Sequence, residues 1–289
     1  SAKKVMEGTG MDQMLEDYGV AIVDFNEGST VSYPQGHTAK EFFLAKPVQE
    51  TDALINLCKM KTHALERVTG GVKNLYGCIS GLHKAKGHTK YTNADIFARQ
   101  LIDLNQLIKP RFCVMDGIVA MDGNGPTSGD PVKMKVLLLG NDPVAIDSVY
   151  CHLVHLDPQM VPTNVHGETM GLGTWREENI RLLTDGGEIT MQEAVERFGN
   201  PDFNVDRKKQ RGNLWNRFNN GFLRYFQKKP YIEADKCKKC GVCVEACPVE
   251  GKALQFKNGR RKPPVYNYHK CIRCFCCQEM CPHKAIQVK

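Results

Sequence analysis

Cys237-x2-Cys240-x2-Cys243-x3-Cys247-Pro248 and Cys271-x2-Cys274-x2-Cys277-x3-Cys281-Pro282 are one spelling written twice near the C-terminus. Each run has the thiolate spacing of a bacterial-type 4Fe-4S cluster. Three thiolates, each three residues from the next, can wrap one iron–sulfur cube, while the fourth is carried away on a helix toward a second cube. The spacing therefore predicts a small domain that moves electrons.

The pattern resembles that of two-cluster ferredoxins, in which the fourth cysteine of each run serves the other cluster. That resemblance implies Cys237, Cys240, Cys243 and Cys281 as ligands of one 4Fe-4S cluster, and Cys271, Cys274, Cys277 and Cys247 as ligands of its partner. Cys-x2-Cys pairs also bind tetrahedral zinc, but eight ligands in register and two Cys-Pro endings favour clusters. Disulfides are disfavoured, because such dense runs in a chain without a secretory signal read as metal ligands.

Every ligand of the first run recurs 34 positions later, with Lys236 and Lys270 ahead of the two opening cysteines, which marks a duplicated module. The apolar flanks Tyr231-Ile232, Leu254-Gln255-Phe256, Val265-Tyr266 and Ala285-Ile286-Gln287-Val288 are expected as short strands closing each half. Cys276 is the odd thiol. Its counterpart in the first run is Val242, so it reads as a packing residue rather than a ligand. Cys58, Cys78, Cys113 and Cys151 stand singly and read as buried free thiols.

The chain has 289 residues, 42% of them apolar, enough for a sizeable core and a second domain. No apolar run approaches the ~20 residues that cross a bilayer, and the expected location is the cytoplasm of an anaerobic or strongly reducing host. Charge is uneven. Residues 207–289 hold 20 Lys and Arg against 5 Asp and Glu, whereas residues 1–206 hold 19 against 27. The basic half can face the acidic half and offset cluster charge, or dock an acidic redox protein partner. Nucleic acid is disfavoured, since no base-reading or stacking motif accompanies the charge.

Between the two lies Arg207-Lys208-Lys209-Gln210-Arg211, followed by Leu214, Trp215, Phe218, Phe222 and Phe226 at helical spacing. This predicts a basic amphipathic linker helix over 206–229, docked on a neighbouring domain or lying on an anionic membrane surface without crossing it. The expected domains are thus an α/β domain over 1–205, this linker, and a small α+β ferredoxin-like domain over 230–289 carrying two 4Fe-4S clusters.

The α/β expectation, a mixed or parallel sheet with flanking helices, rests on alternating strand-like and helical runs. Val20 to Phe25, Ala53 to Leu57, Phe112 to Met115 and Val136 to Leu139 read as strands. A helix is expected from an N-cap at Thr92 to a stop before Pro110, and another behind the Asp142-Pro143 cap. Polar residues gather where the strands should end. Lys59, Lys61 and His63 fall on one side of an extended chain. A glycine-bearing stretch with Lys73 and Asn74 follows, then His83, Lys84 and His88. Cationic and amide groups around flexible backbone favour a small anionic ligand, although no phosphate-loop or dinucleotide motif is spelled. The stretch Asp116 to Pro126 carries Asp116 and Asp122 amid glycines. It reads equally as a tight turn or as an oxygen-rich site for a cation or substrate.

These stretches resemble the family called domain of unknown function 362. The resemblance rests on Asn56-Leu57-Cys58-Lys59-Met60-Lys61-Thr62-His63, on Gly71-Val72-Lys73-Asn74-Leu75-Tyr76-Gly77, on Asp116 to Pro126, and on Asp142-Pro143-Val144-Ala145-Ile146-Asp147. It implies an α/β domain whose matched Lys, His, Asn and Asp positions form a common pocket. Members usually carry a further segment ahead of the first strand seen here, so the chain is expected to start inside the domain. The resulting expectation is an iron–sulfur oxidoreductase component. Lys59, Lys73 and Asn74 would hold an anionic ligand, and Lys61, His63, Asp116 and Asp122 would serve its chemistry. The alternative is a non-catalytic carrier, assembly factor or redox sensor whose α/β domain binds a protein.

Overall fold

The computed structural model describes residues 2–80, 83–91, 93–208, 228–257 and 259–288. Helices α1 (Ala2–Thr9) and α2 (Met11–Asp17) precede an antiparallel pair, β1 (Gly28–Ser32) and β2 (Glu41–Ala45), and then α3 (Lys46–Glu50). The central sheet follows, with β3 (Ile55–His63), β4 (Arg67–Thr69), β5 (Phe112–Asp122), β6 (Asp130–Val132) and β7 (Val136–Gly140). It is mixed. β3 and β5 run parallel, joined by a crossover through α4 (Gly71–Asn74), α5 (His83–Lys90) and α6 (Ala94–Ile108), whereas β4, β6 and β7 add antiparallel.

Along β3 the chain alternates. Asn56, Cys58, Met60 and Thr62 are buried, and Ile55, Leu57, Lys59, Lys61 and His63 share the opposite face. On the buried side Met60 and Met115 pack against Tyr150 and Leu153 of α7 (Pro143–Leu153), with Phe203 completing the core. A second core joins Phe42 and Leu44 of β2 to Val72, Phe97 and Leu101. The other sheet face is bare at one end. Ile55 lies beside Phe112, Leu57 beside Val114 and Leu139, and Lys59 beside Asp116 and Leu137. Leu57 is 71% exposed and Leu139 60%.

The remaining N-terminal elements are α8 (Pro162–Thr169), the pair β8 (Leu182–Thr184) and β9 (Gly187–Ile189), and α9 (Met191–Phe198), which opens on a Thr190–Glu193 capping box. The C-terminal domain pairs β10 (Pro230–Ile232) with β13 (Ile286–Val288) and β11 (Leu254–Gln255) with β12 (Val265–Tyr266). Its two helices, α10 (Val242–Glu245) and α11 (Cys276–Glu279), occupy equivalent places in the two cysteine runs. All four apolar flanks expected as strands contribute to these pairs.

Three local expectations change. Val20 to Phe25 is not a strand, since Asp24 accepts from the Asn26 amide at 3.0 Å and turns the chain, leaving Val20, Ile22 and Val23 exposed. α6 is capped by Asn93, whose side chain accepts from Ile96 N at 2.8 Å. The Thr92 side of that expectation lies outside the described residues, and the helix does stop, at Lys109, before Pro110. β3 and β5 are longer than expected, so Lys59, Lys61, His63, Asp116 and Asp122 sit on strands rather than beyond them. The Asp142 cap stands as expected, its carboxylate accepting from Val144 and Ala145. Most of the linker helix expected over 206–229 falls outside the described residues. Its two ends meet at Asp206, which is paired with Arg67 and with Lys228.

Candidate functional site

Burial deepens along the polar half of β3. Lys59 is part-exposed and ion-paired with Asp116, Nζ to Oδ2 at 2.6 Å. Burial raises the Asp116 carboxyl, but the bond and charge of Lys59 together with the Ile118 amide outweigh it and hold the group below its ordinary value. Lys61 is half-buried, and the His63 side chain has no exposed surface. The amides of Leu65 and Glu66 both donate to His63 Nδ1 at 3.1 Å, so this nitrogen carries no proton. The proton is on Nε2, which donates to Glu279 Oε1 at 2.9 Å. Burial, with help from the Lys73 charge, pulls His63 down to about 4. The imidazole is therefore neutral at physiological pH.

Glu279 belongs to α11, inside the second cysteine run, so this bond joins the two domains. More bonds follow from the same helix. Gln278 Nε2 donates to Asn124 O and Oδ1 and to Gly125 O at 2.9–3.0 Å, and Thr127 Oγ1 donates to Glu279 O at 2.8 Å. Asn124 Nδ2 reaches Ile286 O, and Lys284 Nζ reaches Gly129 O. The glycine-rich stretch expected as a turn or oxygen site is thus a cradle for the C-terminal domain. Gly125 is required there, because a Cβ would lie 2.2 Å from the Thr62 carbonyl oxygen. Asp122 is committed elsewhere, accepting from Asn204 N at 2.8 Å.

Lys73 is placed by α4, whose first amides, Gly71 N and Val72 N, donate to the buried Asp147 carboxylate. A Cβ on Gly70 would lie 2.1 Å from that carboxylate, which ties Gly70 and Asp147 together. The Lys73 ammonium lies over the rings of Tyr76 and Phe97, 5.9 and 5.7 Å from their centroids. Asn74 faces the other way. Its amide donates to Asn56 Oδ1 and Leu57 O and closes the free edge of β3.

The structure thus gathers Lys61, His63 and Lys73 at the interdomain seam. It pairs Lys59 with Asp116 nearby and gives Asn74 and Asp122 structural bonds. It adds Glu66, Tyr76, Lys84, Gln278 and Glu279. Burial and the Lys73 charge lower Lys61, against the pull of Glu279. Glu66 has no exposed surface, and burial pushes it up to about 8 despite Lys73. Glu66 has no local sequence signature. Gln278 has one, because its counterpart 34 residues earlier is Val244, and a polar residue at an apolar repeat position marks a new contact.

In the C-terminal domain Cys237, Cys240, Cys243 and Cys281 line one shallow hollow, with Lys238 and Lys239 at its wall. Cys247 packs instead with Ala253 and Cys271. Burial raises Cys243 to about 11, with the Cys281, Cys237 and Cys240 thiols adding to it, whereas burial raises Cys271 with Cys274 and Cys247 as its thiol neighbours. The repeat extends to sulfur hydrogen bonds, Ala253 N to Cys247 at 3.3 Å and Ala285 N to Cys281 at 3.4 Å. Among the described residues no three Cys, His, Asp or Glu side chains are placed to grip a single metal ion. A set of thiols lining a hollow suits a cluster. Cys276 is buried with its thiol hydrogen-bonded to Cys274, and Cys58, Cys78, Cys113 and Cys151 are buried free thiols.

Residues 229–282 match a 4Fe-4S dicluster domain, which carries iron–sulfur electron transfer as its chemistry. The thylakoid-associated protein sll1697 of Synechocystis sp. (strain ATCC 27184 / PCC 6803 / Kazusa) is 35% identical over 192 residues, covering 66% of this chain. The chain spans 59% of that relative's length. Residues 1–152 match the family described as Domain of unknown function (DUF362), more than half of the chain, and the protein belongs to that family.

Proposed function

We propose that the protein is an iron–sulfur oxidoreductase component in which two 4Fe-4S clusters relay electrons between an exposed end and the interdomain seam. Cys237, Cys240, Cys243 and Cys281 would hold one cluster, and Cys271, Cys274, Cys277 and Cys247 the other, in a ferredoxin-like domain. When bound, the clusters supply single-electron exchange. The observation that carries this reading is the bond from His63 to Glu279, which fixes the second cysteine run against the strand bearing Lys61. On the α/β side Lys61 and Lys73 hold a small anionic ligand, and His63, locked in one tautomer, positions the cluster helix beside them. A redox protein docks at Cys240, the exposed cysteine, where Lys238 and Lys239 favour an acidic surface.

The reading keeps the protein in the cytoplasm of a reducing host, in accord with thirteen free cysteines. No described helix is long and apolar enough to cross a membrane. Peripheral attachment, such as the relative's name reports of that protein, is compatible with it. A second reading, a carrier whose α/β domain binds a protein partner, is favoured by the bare face around Leu57 and Leu139.

The test is ligand assignment by substitution in protein purified without oxygen. Cys281→Ser and Cys240→Ser should each damage the same cluster, and Cys247→Ser the other. Iron and sulfide content together with electron paramagnetic resonance of the reduced protein report it. Loss of the same signal from Cys240→Ser and Cys247→Ser would overturn the crossed relay. A reduced protein without cluster signals would overturn electron transfer altogether.

A further inference from the structure

Three lysines meet at the seam. Lys61 and Lys73 are half-buried and Lys84 is exposed, and the charge of Lys73 acts on both of the others. Among the described residues none of the three has a carboxylate within ion-pair distance, and the Lys73 ammonium rests on two aromatic rings instead. Glu279, the acid that acts on Lys61, already accepts from His63 Nε2. The other acid, Glu66, is fully buried, and neither carboxyl oxygen has a hydrogen-bond partner. Gln100, whose amide serves the Tyr76 over whose ring Lys73 lies, is 4% exposed with its Oε1 unpartnered. Tyr76 OH in turn donates to Lys84 O at 2.7 Å.

Crowded ammonium groups and an orphaned buried carboxyl each cost free energy, and folding alone satisfies neither. One ligand can satisfy both, if it carries an anionic group at one end and hydrogen-bond donors at the other. We propose that the seam binds a small phosphate- or carboxylate-bearing organic molecule with hydroxyl groups. Its anion is held by Lys61, Lys73 and Lys84, and its hydroxyls by Glu66 and Gln100. This deepens the anionic-ligand part of the proposed function, and it adds Glu66 and Gln100 as the groups that set selectivity. Inorganic anions fill only the lysine half of such a site.

Titration calorimetry on the cluster-loaded protein tests it with two probes, inorganic phosphate and glycerol 3-phosphate. The wild type should prefer glycerol 3-phosphate by about tenfold, the scale of a hydrogen bond made in a buried site. Lys73→Met should weaken both probes by about tenfold or more. Glu66→Gln should leave phosphate binding within about twofold and reduce the preference for the glycerol ester. Lys109→Ala, at the far end of α6 from Phe97, should change neither. If Lys73→Met loses its clusters or its circular-dichroism signature, Lys61→Met replaces it. Equal binding of the two probes by wild type, or binding indifferent to both lysines, overturns the site. Cluster reduction measured on the same samples separates the two ideas: binding without reducible clusters removes only the electron relay, and reducible clusters without binding remove only this site.

Discussion

The two cysteine runs share every ligand position, yet the first meets water where the second meets the α/β domain. Cys240 is exposed, and Arg260 crosses above Gly241, 3.0 Å from where a Cβ would stand. Its equivalent, Cys274, is less exposed and is followed by buried Cys276, Cys277 and Gln278. Where the first run has Val244 and an exposed Glu245, the second has Gln278 on the Asn124–Gly125 carbonyls and Glu279 on His63. The duplication makes a matched pair of cysteine runs, and a few side chains on α11 tell them apart. One run is left facing solvent and the other is bonded to the seam.

The largest test of that difference is pH, because the committed end stores two displaced titrations. His63 sits near 4 when folded against an ordinary 6.5, so between those values the unfolded chain binds more protons and stability rises with pH, then levels above 6.5. Glu66 sits near 8 against an ordinary 4.5, so the folded state binds more protons between them and stability falls with rising pH across that window. Urea midpoints of the wild type from pH 5 to 8 should be nearly flat below 6.5, where the two cancel, and fall above it; His63→Gln should extend the fall down to pH 5, and Glu66→Gln should abolish the fall and leave a rise below 6.5, each changing the local slope by about 1 kcal/mol per pH unit. Unchanged slopes in both variants would remove the buried titrations from the seam.

Gln278→Val gives the second run the residue of the first. It removes three carbonyl- and amide-directed contacts and leaves Asn124 and Gly125 short of a donor, a loss of about 2 kcal/mol from docking. Hydrogen exchange over residues 123–129 should speed up while cluster absorbance is kept. Unaltered exchange would show that Gln278 does not hold the cradle. The smallest effect belongs to the free end. Lys238→Glu should shift stability by no more than about 0.5 kcal/mol, yet slow reduction by dithionite, an anionic reductant, by about twofold at low salt. The gap should close as salt is added. A gap that persists in high salt would mean electrons do not enter beside Lys238.

Local spelling carried the C-terminal half well. Apolar composition located all four strand flanks, and the offset of 34 residues between the runs set Cys276 apart from the ligand positions, because a repeat exposes each position to comparison with its twin. It also carried the common face of Lys59, Lys61 and His63, which follows from strand alternation alone. What it could not carry was contact across distance. His63 and Glu279 are separated by 216 residues, and neither has a neighbour whose spacing announces the other. The roles of Asn74 and Asp122 were hidden for the same reason. Each is a polar residue among glycines, and whether it meets a ligand or a backbone group depends on which strand edge or loop folds against it. Val20 to Phe25 has the composition of a strand, but a strand exists only where an edge receives it.

The bare rows of Ile55, Leu57 and Leu139 bear on how this protein will look at the bench. A dye such as anilinonaphthalene sulfonate, whose fluorescence is commonly taken to announce a loosened, half-unfolded chain, should light up on the intact molecule. Brightness in that assay will report a wall of leucine and isoleucine standing in water, and only a further rise above that baseline will report unfolding.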